Sequence, residues 1–179
     1  MISNCLTGNK FGIIEDIIKD KNIINILEIG AYKGSSTTWL IDNYLHHDES
    51  SITIIEQFSA DISTIPLKKY ELFINDIKKV LYPEKVIFYK DKSITVLPML
   101  LNEKKQYDII LINGSYLLQD IYEDITMCWD LLKKEGYLFI DEYFDRENQM
   151  EDIFYNLTKN KEKYQIILNG TKIIVKKLI

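Results

Sequence analysis

Short runs rich in β-branched residues alternate along this chain with longer amphipathic runs, and that alternation constrains the fold more than any other feature. It predicts βαβ units and a parallel sheet, because parallel neighbours need a crossover long enough to hold a helix. Five strands are expected at Asn25 to Ile29, Ile52 to Glu56, Val86 to Tyr89, Tyr107 to Ile112 and Tyr137 to Asp141. Several are apolar on both faces, the pattern of a sheet covered by helices. Helical periodicity marks Phe11 to Lys21, Ser36 to Leu45, Leu67 to Leu81, Ile94 to Leu101, Leu117 to Lys133 and Glu147 to Thr158, with Gly136 as the stop after the fifth. Right-handed crossovers then set helices on both faces of a doubly wound α/β sheet.

The last stretch departs from the alternation. Tyr164 to Leu168 and Thr171 to Lys176 are separated only by Asn169-Gly170, a pair that supplies the positive φ angles of a type I′ turn. A hairpin follows, and with it an antiparallel strand in an otherwise parallel sheet. The 179 residues are expected to form one domain, with 1–24 as an N-terminal segment and helix and 25–177 as the core. A chain of this length buries roughly 70% of its unfolded surface and needs neither disulfides nor a structural metal.

Composition narrows the partners. The net charge is -5, and of 22 basic residues only Arg146 is an arginine, so forked recognition of phosphates is nearly missing and general nucleic-acid binding is not expected. The lysines from Lys159 to Lys163 and from Lys172 to Lys177 can touch an acid or are simply solvated tail charges, the plainer of the two readings. Cys5 and Cys128 give no framework of bridges and no metal spacing, which fits a reducing compartment. The first ten residues have no basic region followed by an apolar run, and no apolar stretch approaches the roughly 18 residues that span a bilayer. A soluble, cytoplasmic protein with no membrane partner is expected.

In open α/β sheets ligands gather outside the carboxyl ends of the strands, where strand order reverses. Beyond the first strand the chain runs from Glu28 and Gly30 through Tyr32 and Lys33 to Gly34, Ser35 and Ser36. Such a turn brings backbone N–H groups toward an anion, or is simply an ordinary strand-to-helix turn. It has neither the Lys-Ser/Thr of a phosphate loop nor the third glycine of the dinucleotide pattern. Glu28, between Leu27 and Ile29 in a covered strand, needs a partner: a cationic ligand, the N–H groups of the loop or a neighbouring side chain. Glu56 ends the second strand, either where an acid accepts hydrogen bonds from ribose hydroxyls or as an acid fraying into solvent. Gln57 follows it, and Phe58 can stack on a base or cover the sheet edge. Asp91 can face an adenine amino group or cap the helix beginning near Ser93. The fourth strand ends in Asn113, Gly114, Ser115 and Tyr116 and the fifth in Asp141, Glu142 and Tyr143. Asn113, Asp141 and Glu142 offer the oxygen ligands Mg²⁺ prefers, and acidic loop ends are also common without a metal. Asp108 begins its strand, at the wrong end for a ligand, and is read as structural; His46 and His47 have no partner at metal spacing and are read as solvent-facing.

The ordered set of Glu28, Gly30, Gly34 and Ser35 to Thr37, then Glu56, then Tyr107 to Tyr116, then Leu131 through Gly136 to Tyr143, resembles class I S-adenosylmethionine-dependent methyltransferases over residues 25–177. The small O-methyltransferase branch, with its catechol and macrolide-sugar enzymes, is the most similar. The resemblance implies a Rossmann-like sheet of seven strands in order 3-2-1-4-5-7-6 with strand 7 antiparallel, in agreement with the hairpin. It implies S-adenosyl-L-methionine as cofactor, with the loop Gly30 to Ser36 on the methionine part, Glu56 on the ribose, and Phe58, Asp91 and Ser93 on the adenine; Glu28, Tyr32, Gln57 and Asn113 complete that cofactor-binding set. Asp141, Glu142, Asn113 and Tyr116 become the catalytic set, and Asn113, Asp141 and Glu142 the ligands of a Mg²⁺ ion, for transfer to a small-molecule or sugar hydroxyl. Two positions depart from the family: Asn113 replaces the aspartate that binds the ion, and Tyr116 stands where a histidine is common. Asn113 cannot take a proton, which leaves Asp141, Glu142 or a metal-bound water as the base. Little chain precedes the first strand, so a lid over the acceptor is expected to be small or supplied by another subunit of a homo-oligomer. Two rival readings stand beside this one: a non-catalytic cofactor-binding or interaction protein, suggested by Asn113, and an NAD-dependent oxidoreductase, suggested only by the glycine-rich loop and Glu56.

Overall fold

The computed structural model describes residues 14, 17, 21–58, 65–114, 117–140, 147–159, 161–168 and 173–179. Seven strands, β1 (Asn25–Ile29), β2 (Ser51–Ile55), β3 (Val86–Tyr89), β4 (Tyr107–Ile112), β5 (Leu132–Ile140), β6 (Tyr164–Leu168) and β7 (Ile173–Lys177), form one sheet in the order β3-β2-β1-β4-β5-β7-β6. The pairs from β3 to β5 are parallel, and β7 runs antiparallel to both β5 and β6. Strand order and the antiparallel strand are those implied by the resemblance; the turn at Asn169-Gly170 lies outside the described residues.

The period of two along each strand sorts side chains into two cores. Ile109 and Leu111 of β4 share a face with Ile26, Ile52 and Ile54, and pack against Leu40 and Ile41 of α1 (Ser35–Tyr44) and Phe73 and Ile77 of α2 (Ile65–Ile77). Ile110 and Ile112 face the other way with Leu27 and Leu138, against Val96, Leu97 and Leu100 of α3 (Ser93–Asn102) and Ile121, Ile125 and Cys128 of α4 (Leu118–Leu131). Phe154 of α5 (Glu147–Thr158) completes the second core. Most of the expected helix from Phe11 to Lys21 lies outside the described residues; Ile14 and Ile17 are helical, and Ile14 is buried in the first core.

Gly136 does not stop a helix. The fourth helix already ends at Leu131, and β5 begins at Leu132 rather than Tyr137. Leu132 pairs with Tyr107 and Tyr137 with Ile109, so the residues between them bulge out of the ladder. The bulge passes through Glu135 in the left-handed region, at φ 59°. A Cβ on Gly136 would lie 2.7 Å from the Lys133 carbonyl oxygen and 3.1 Å from that of Asp108. Glycine is needed there for close backbone approach, not for termination.

The terminal lysines are not all solvated either. The Lys177 ammonium donates to the carbonyls of Trp129 (2.7 Å) and Leu132 (2.8 Å), holding the carboxyl end of α4 where its carbonyls lack helical partners. Burial lowers its pKa below the ordinary lysine value, while Asp130 acts in the opposite sense. Lys176 pairs with Glu135 at 2.5 Å.

Candidate cofactor site at the switch point of the sheet

Strand order reverses between β1 and β4, and the crevice at their carboxyl ends is bounded by two glycines. The Gly30 N–H donates to the Ile55 carbonyl (2.9 Å), while the Asn113 N–H donates to the Ile29 carbonyl (2.8 Å). The first bond fastens the end of β1 to β2, and the second fastens the loop after β4 to β1. A Cβ on Gly30 would sit 2.3 Å from the Asn113 carbonyl oxygen and 2.5 Å from the Gly114 Cα, at a φ of 82° that L-residues rarely adopt. Gly114 in turn faces the Ile29 side chain. Only a residue without a side chain fits at Gly30.

Glu28 shares the face of Ile26, beneath α1, and is 1% exposed. Its carboxylate accepts hydrogen bonds from the hydroxyls of Ser36 and Thr37, each at 2.5 Å. Of the three kinds of partner open to Glu28, neighbouring side chains are present, and they tie β1 to the first turn of α1. Gly34, at φ 80°, donates its N–H to the Ala31 carbonyl (2.8 Å), and a Cβ there would meet the Phe73 ring at 2.8 Å. The loop is therefore closed on itself and pressed onto the core.

Glu56 does not fray. One carboxylate oxygen accepts the Tyr32 N–H (2.8 Å) and the other the Phe58 N–H (2.9 Å). Tyr32 and Phe58 are both in the left-handed region, at φ 52° and 45°. Their backbones turn inward, which converges two N–H groups on one acid, at a conformational cost that the surrounding structure must offset. The Phe58 ring packs with Tyr70, Phe73 and Phe88, at centroid distances of 5.5, 5.5 and 6.2 Å. It covers the sheet, the second of its two readings. The Tyr32 ring is exposed, with the Lys69 ammonium 4.7 Å from its centroid.

A cavity of about 250 Å³ opens over this crevice. Gly30, Glu56, Gln57, Asp91 and Ser93 line it, all of them singled out by sequence. Asp91 is not the side-chain cap of α3: Lys92 holds the cap position, and the Asp91 carboxylate accepts the Lys92 N–H at 2.7 Å. Three further lining residues, Asp120, Glu123 and Asp124 of α4, were read only as part of an amphipathic helix. Their spacing at i, i+3 and i+4 on the first turns after β4 was the available signal, since it puts three acids on the side of the helix nearest the strand ends. Asp124 is 3% exposed. Burial pushes its carboxyl up to about 6; the nearby Ser93 hydroxyl pulls down, and the charges of Asp120 and Glu123 push up. Ser115, Tyr116, Asp141 and Glu142 lie outside the described residues, and among the described residues no group of three or more His, Cys, Asp or Glu is placed to hold a metal. No helix among the described residues is long and apolar enough to cross a membrane.

Asp108 lies at the opposite end of β4, as expected. It accepts hydrogen bonds from the ammonium groups of Lys133 (2.8 Å) and Lys21 (2.9 Å) and from the Asn25 N–H (3.0 Å). Burial pushes its carboxyl up, but these three donors outweigh burial and hold it below the usual carboxylate value. His46 and His47 are exposed, with His46 edge-on to Tyr82 at 5.7 Å.

Comparison with solved structures bears out the architecture. An O-methyltransferase from Bacillus cereus, in complex with S-adenosylhomocysteine, is 17% identical and superposes with a TM-score of 0.72 over 99% of this chain and 84% of its own. The O-methyltransferase TomG from Streptomyces achromogenes, in complex with S-adenosylmethionine, is 15% identical, with a TM-score of 0.69 over 93% of this chain and 78% of its own. CalS11, a TDP-rhamnose 3′-O-methyltransferase of calicheamicin biosynthesis, is 12% identical, with a TM-score of 0.66 over 93% of this chain and 76% of its own. No match is found among the curated proteins. Residues 27–143, from the middle of β1 to just past β5 and so including every strand end that borders the cavity, match the family model of a methyltransferase domain, and the chain belongs to that family.

Proposed function

We propose that this chain is an S-adenosylmethionine-dependent O-methyltransferase acting on a small-molecule or sugar hydroxyl. The observation that carries the reading is the charge of the cavity. Among the described residues Glu56, Asp91, Asp120, Glu123 and Asp124 line it, against the one cation Lys92. An acidic wall at a strand-order switch suits a sulfonium cofactor and opposes the pyrophosphate of a dinucleotide, which speaks against the oxidoreductase reading. Glu56, fixed by the Tyr32 and Phe58 N–H groups, keeps lone pairs for the ribose hydroxyls. Gly30 borders the cavity and lets the loops after β1 and β4 close on each other, which brings the start of the Gly30 to Ser36 loop, the candidate holder of the methionine part, to the crevice.

When bound, the sulfonium supplies an electrophilic methyl group, so the chain has two tasks: to hold an acceptor oxygen in line and to take its proton. Asp141 and Glu142 are the candidate bases, and Asn113 with them would hold Mg²⁺ through oxygen atoms in a metal-assisted version. The likeness to a TDP-rhamnose O-methyltransferase favours the sugar class of acceptor. The composition favours work in a reducing, cytoplasmic setting. A non-catalytic binding protein is the reading that Asn113 favours, because an amide cannot serve as the base.

Calorimetric titration with S-adenosylmethionine, S-adenosylhomocysteine and NAD, with and without Mg²⁺, tests the proposal. Selective binding of the two S-adenosyl compounds is expected. Preference for NAD, or no binding of any of the three, would overturn it. Enhancement by Mg²⁺ that disappears in Asp141→Ala would support the metal-assisted version, and cofactor binding without transfer to any hydroxyl acceptor would favour the non-catalytic one.

A further inference from the structure

The loop after β4 holds a reactive pair that the function proposed above leaves unused. Only Asn113 and Asn169 are followed by glycine in this chain. An asparagine carboxamide is an electrophile that the backbone nitrogen of the next residue can reach by closing a five-membered ring, and a glycine there has no Cβ to obstruct the attack. Asparagines that the fold protects look different. Asn25 accepts the Ser51 hydroxyl (2.9 Å) and Asn43 donates to the Trp39 carbonyl (2.8 Å), and the bulky Ile26 and Tyr44 follow them. Asn113 is half-buried, and among the described residues its carboxamide makes no hydrogen bond. The N–H of the exposed Gly114 makes none either. Electrophile and nucleophile thus stand side by side, both unengaged, at a cavity that Gly114 lines.

We propose that Asn113 is a self-modification site, converted to aspartate in the folded protein. The Gly114 nitrogen attacks the side-chain carbonyl carbon of Asn113; a C–N bond forms, the bond to the amide nitrogen breaks, and ammonia leaves with the hydrogen that Gly114 gives up. Water then opens the cyclic imide, its hydroxyl going to a carbonyl carbon and its hydrogen to the Gly114 nitrogen. Opening at the side-chain carbonyl gives aspartate, whereas opening at the main-chain carbonyl gives isoaspartate, with the chain rerouted through the side chain. Gly30 decides between them. It lies so close to the Asn113 main-chain carbonyl that a Cβ on it would stand 2.3 Å from the oxygen and 2.5 Å from the carbon. That contact shields the main-chain carbonyl from water on one side, so the ring opens at the side chain. The Asn113 N–H, bound to the Ile29 carbonyl (2.8 Å), keeps the residue in place through the change. The product carries a carboxylate, which can take a proton where the amide cannot. The modification does not depend on the S-adenosyl reading, but its consequence does: conversion removes the ground on which Asn113 favours non-catalytic binding.

The test is incubation of the full chain at pH 8 in water enriched in heavy oxygen, folded and in parallel unfolded in denaturant, followed by peptide mass spectrometry at both Asn-Gly pairs. Heavy oxygen should enter residue 113 of the folded chain at a rate within about tenfold of the unfolded one, as expected where local opening costs little. The folded chain should give mainly aspartate and the unfolded chain mainly isoaspartate. Gly114→Ala should slow conversion by about tenfold or more in both states. The nearest contact of its Cβ is the Ile29 side chain, at 3.2 Å. Asn113→Gln, which cannot close the five-membered ring, should take up no label at that position over the same time. Conversion of Asn113 in the unfolded chain alone would overturn the proposal, and an excess of isoaspartate in the folded chain would overturn the role of Gly30. Both readouts stand even if Gly114→Ala fails to fold. Titration with S-adenosylhomocysteine before and after incubation reads the cofactor separately: no binding at either time defeats the S-adenosyl reading and leaves the modification as measured.

Discussion

The two ends of the sheet treat carboxylates in opposite ways. At the amino end of β4, Asp108 is surrounded by two ammonium groups and a backbone N–H. At the carboxyl end, Glu56 is held by two N–H groups, Asp124 is buried in the cavity wall, and among the described residues neither takes part in a salt bridge. Neutral donors orient an acid without cancelling its charge. One end uses an acid to fasten β4 to the lysines beside it, and the other sets acids without a lysine partner along the wall of a cavity.

The comparison can be broken at several points. The largest effect is expected for Gly30→Ala, since the added Cβ meets backbone at 2.3 Å and the φ of 82° is unfavourable for alanine. A loss of about 3 kcal/mol or more should appear in a denaturant melt, together with loss of S-adenosylhomocysteine binding. Asp108→Ala comes next, leaving two partly exposed lysines without their acid. It should cost about 2 kcal/mol at neutral pH while leaving cofactor affinity unchanged; a large change in affinity would refute the division between the two ends. The pH dependence is a sharper check. The folded pKa of Asp108 lies below its unfolded value, so its contribution is complete above the ordinary carboxylate range and is lost as pH falls through the folded pKa. The deficit of the variant should shrink in strong acid.

Glu56→Gln should do the reverse of Asp108→Ala. We expect roughly tenfold weaker binding of S-adenosylhomocysteine with a smaller loss of stability than Asp108→Ala, because the charged acceptor is lost while one of the two backbone N–H groups keeps an oxygen to donate to. Unchanged affinity would remove Glu56 from the site. The smallest effect is expected for Asp124→Asn. The folded pKa of Asp124 is raised, to about 6, so keeping it ionised disfavours the native state increasingly as pH rises from about 4 to about 6. The variant should gain about 1 kcal/mol above that window and nothing below it. Matched thermal melts at pH 4 and pH 7.5 would measure the difference, and a gain of equal size at both would exclude this cause.

Strand identity was legible because buried parallel strands are short β-branched runs, and the antiparallel strand because Asn169-Gly170 suits only one kind of turn. The start of β5 was not legible. Leu132, Lys133 and Lys134 continue the helical pattern, and only pairing with Tyr107 draws Leu132 into the sheet. Gly30, Glu56, Asp91 and Ser93 were legible because they stand where strands end, and strand ends face the crevice in any sheet of this kind. Asp120, Glu123 and Asp124 were not, since an acid on an amphipathic helix looks like a solvated one until the helix is docked.

The sequence by itself determined the layer architecture, the strand ends that can hold a ligand and the presence of an antiparallel strand, because hydrophobic period and turn chemistry act over a few neighbouring residues. Only the tertiary structure decided which acids are neutralised and which keep their charge. Lys21 and Lys133 reach Asp108 from distant points of the chain, and Ser93 and Asp124 meet only where α3 packs on α4. Electrostatic environment depends on distance in space and on burial, and neither is written in the local order of residues.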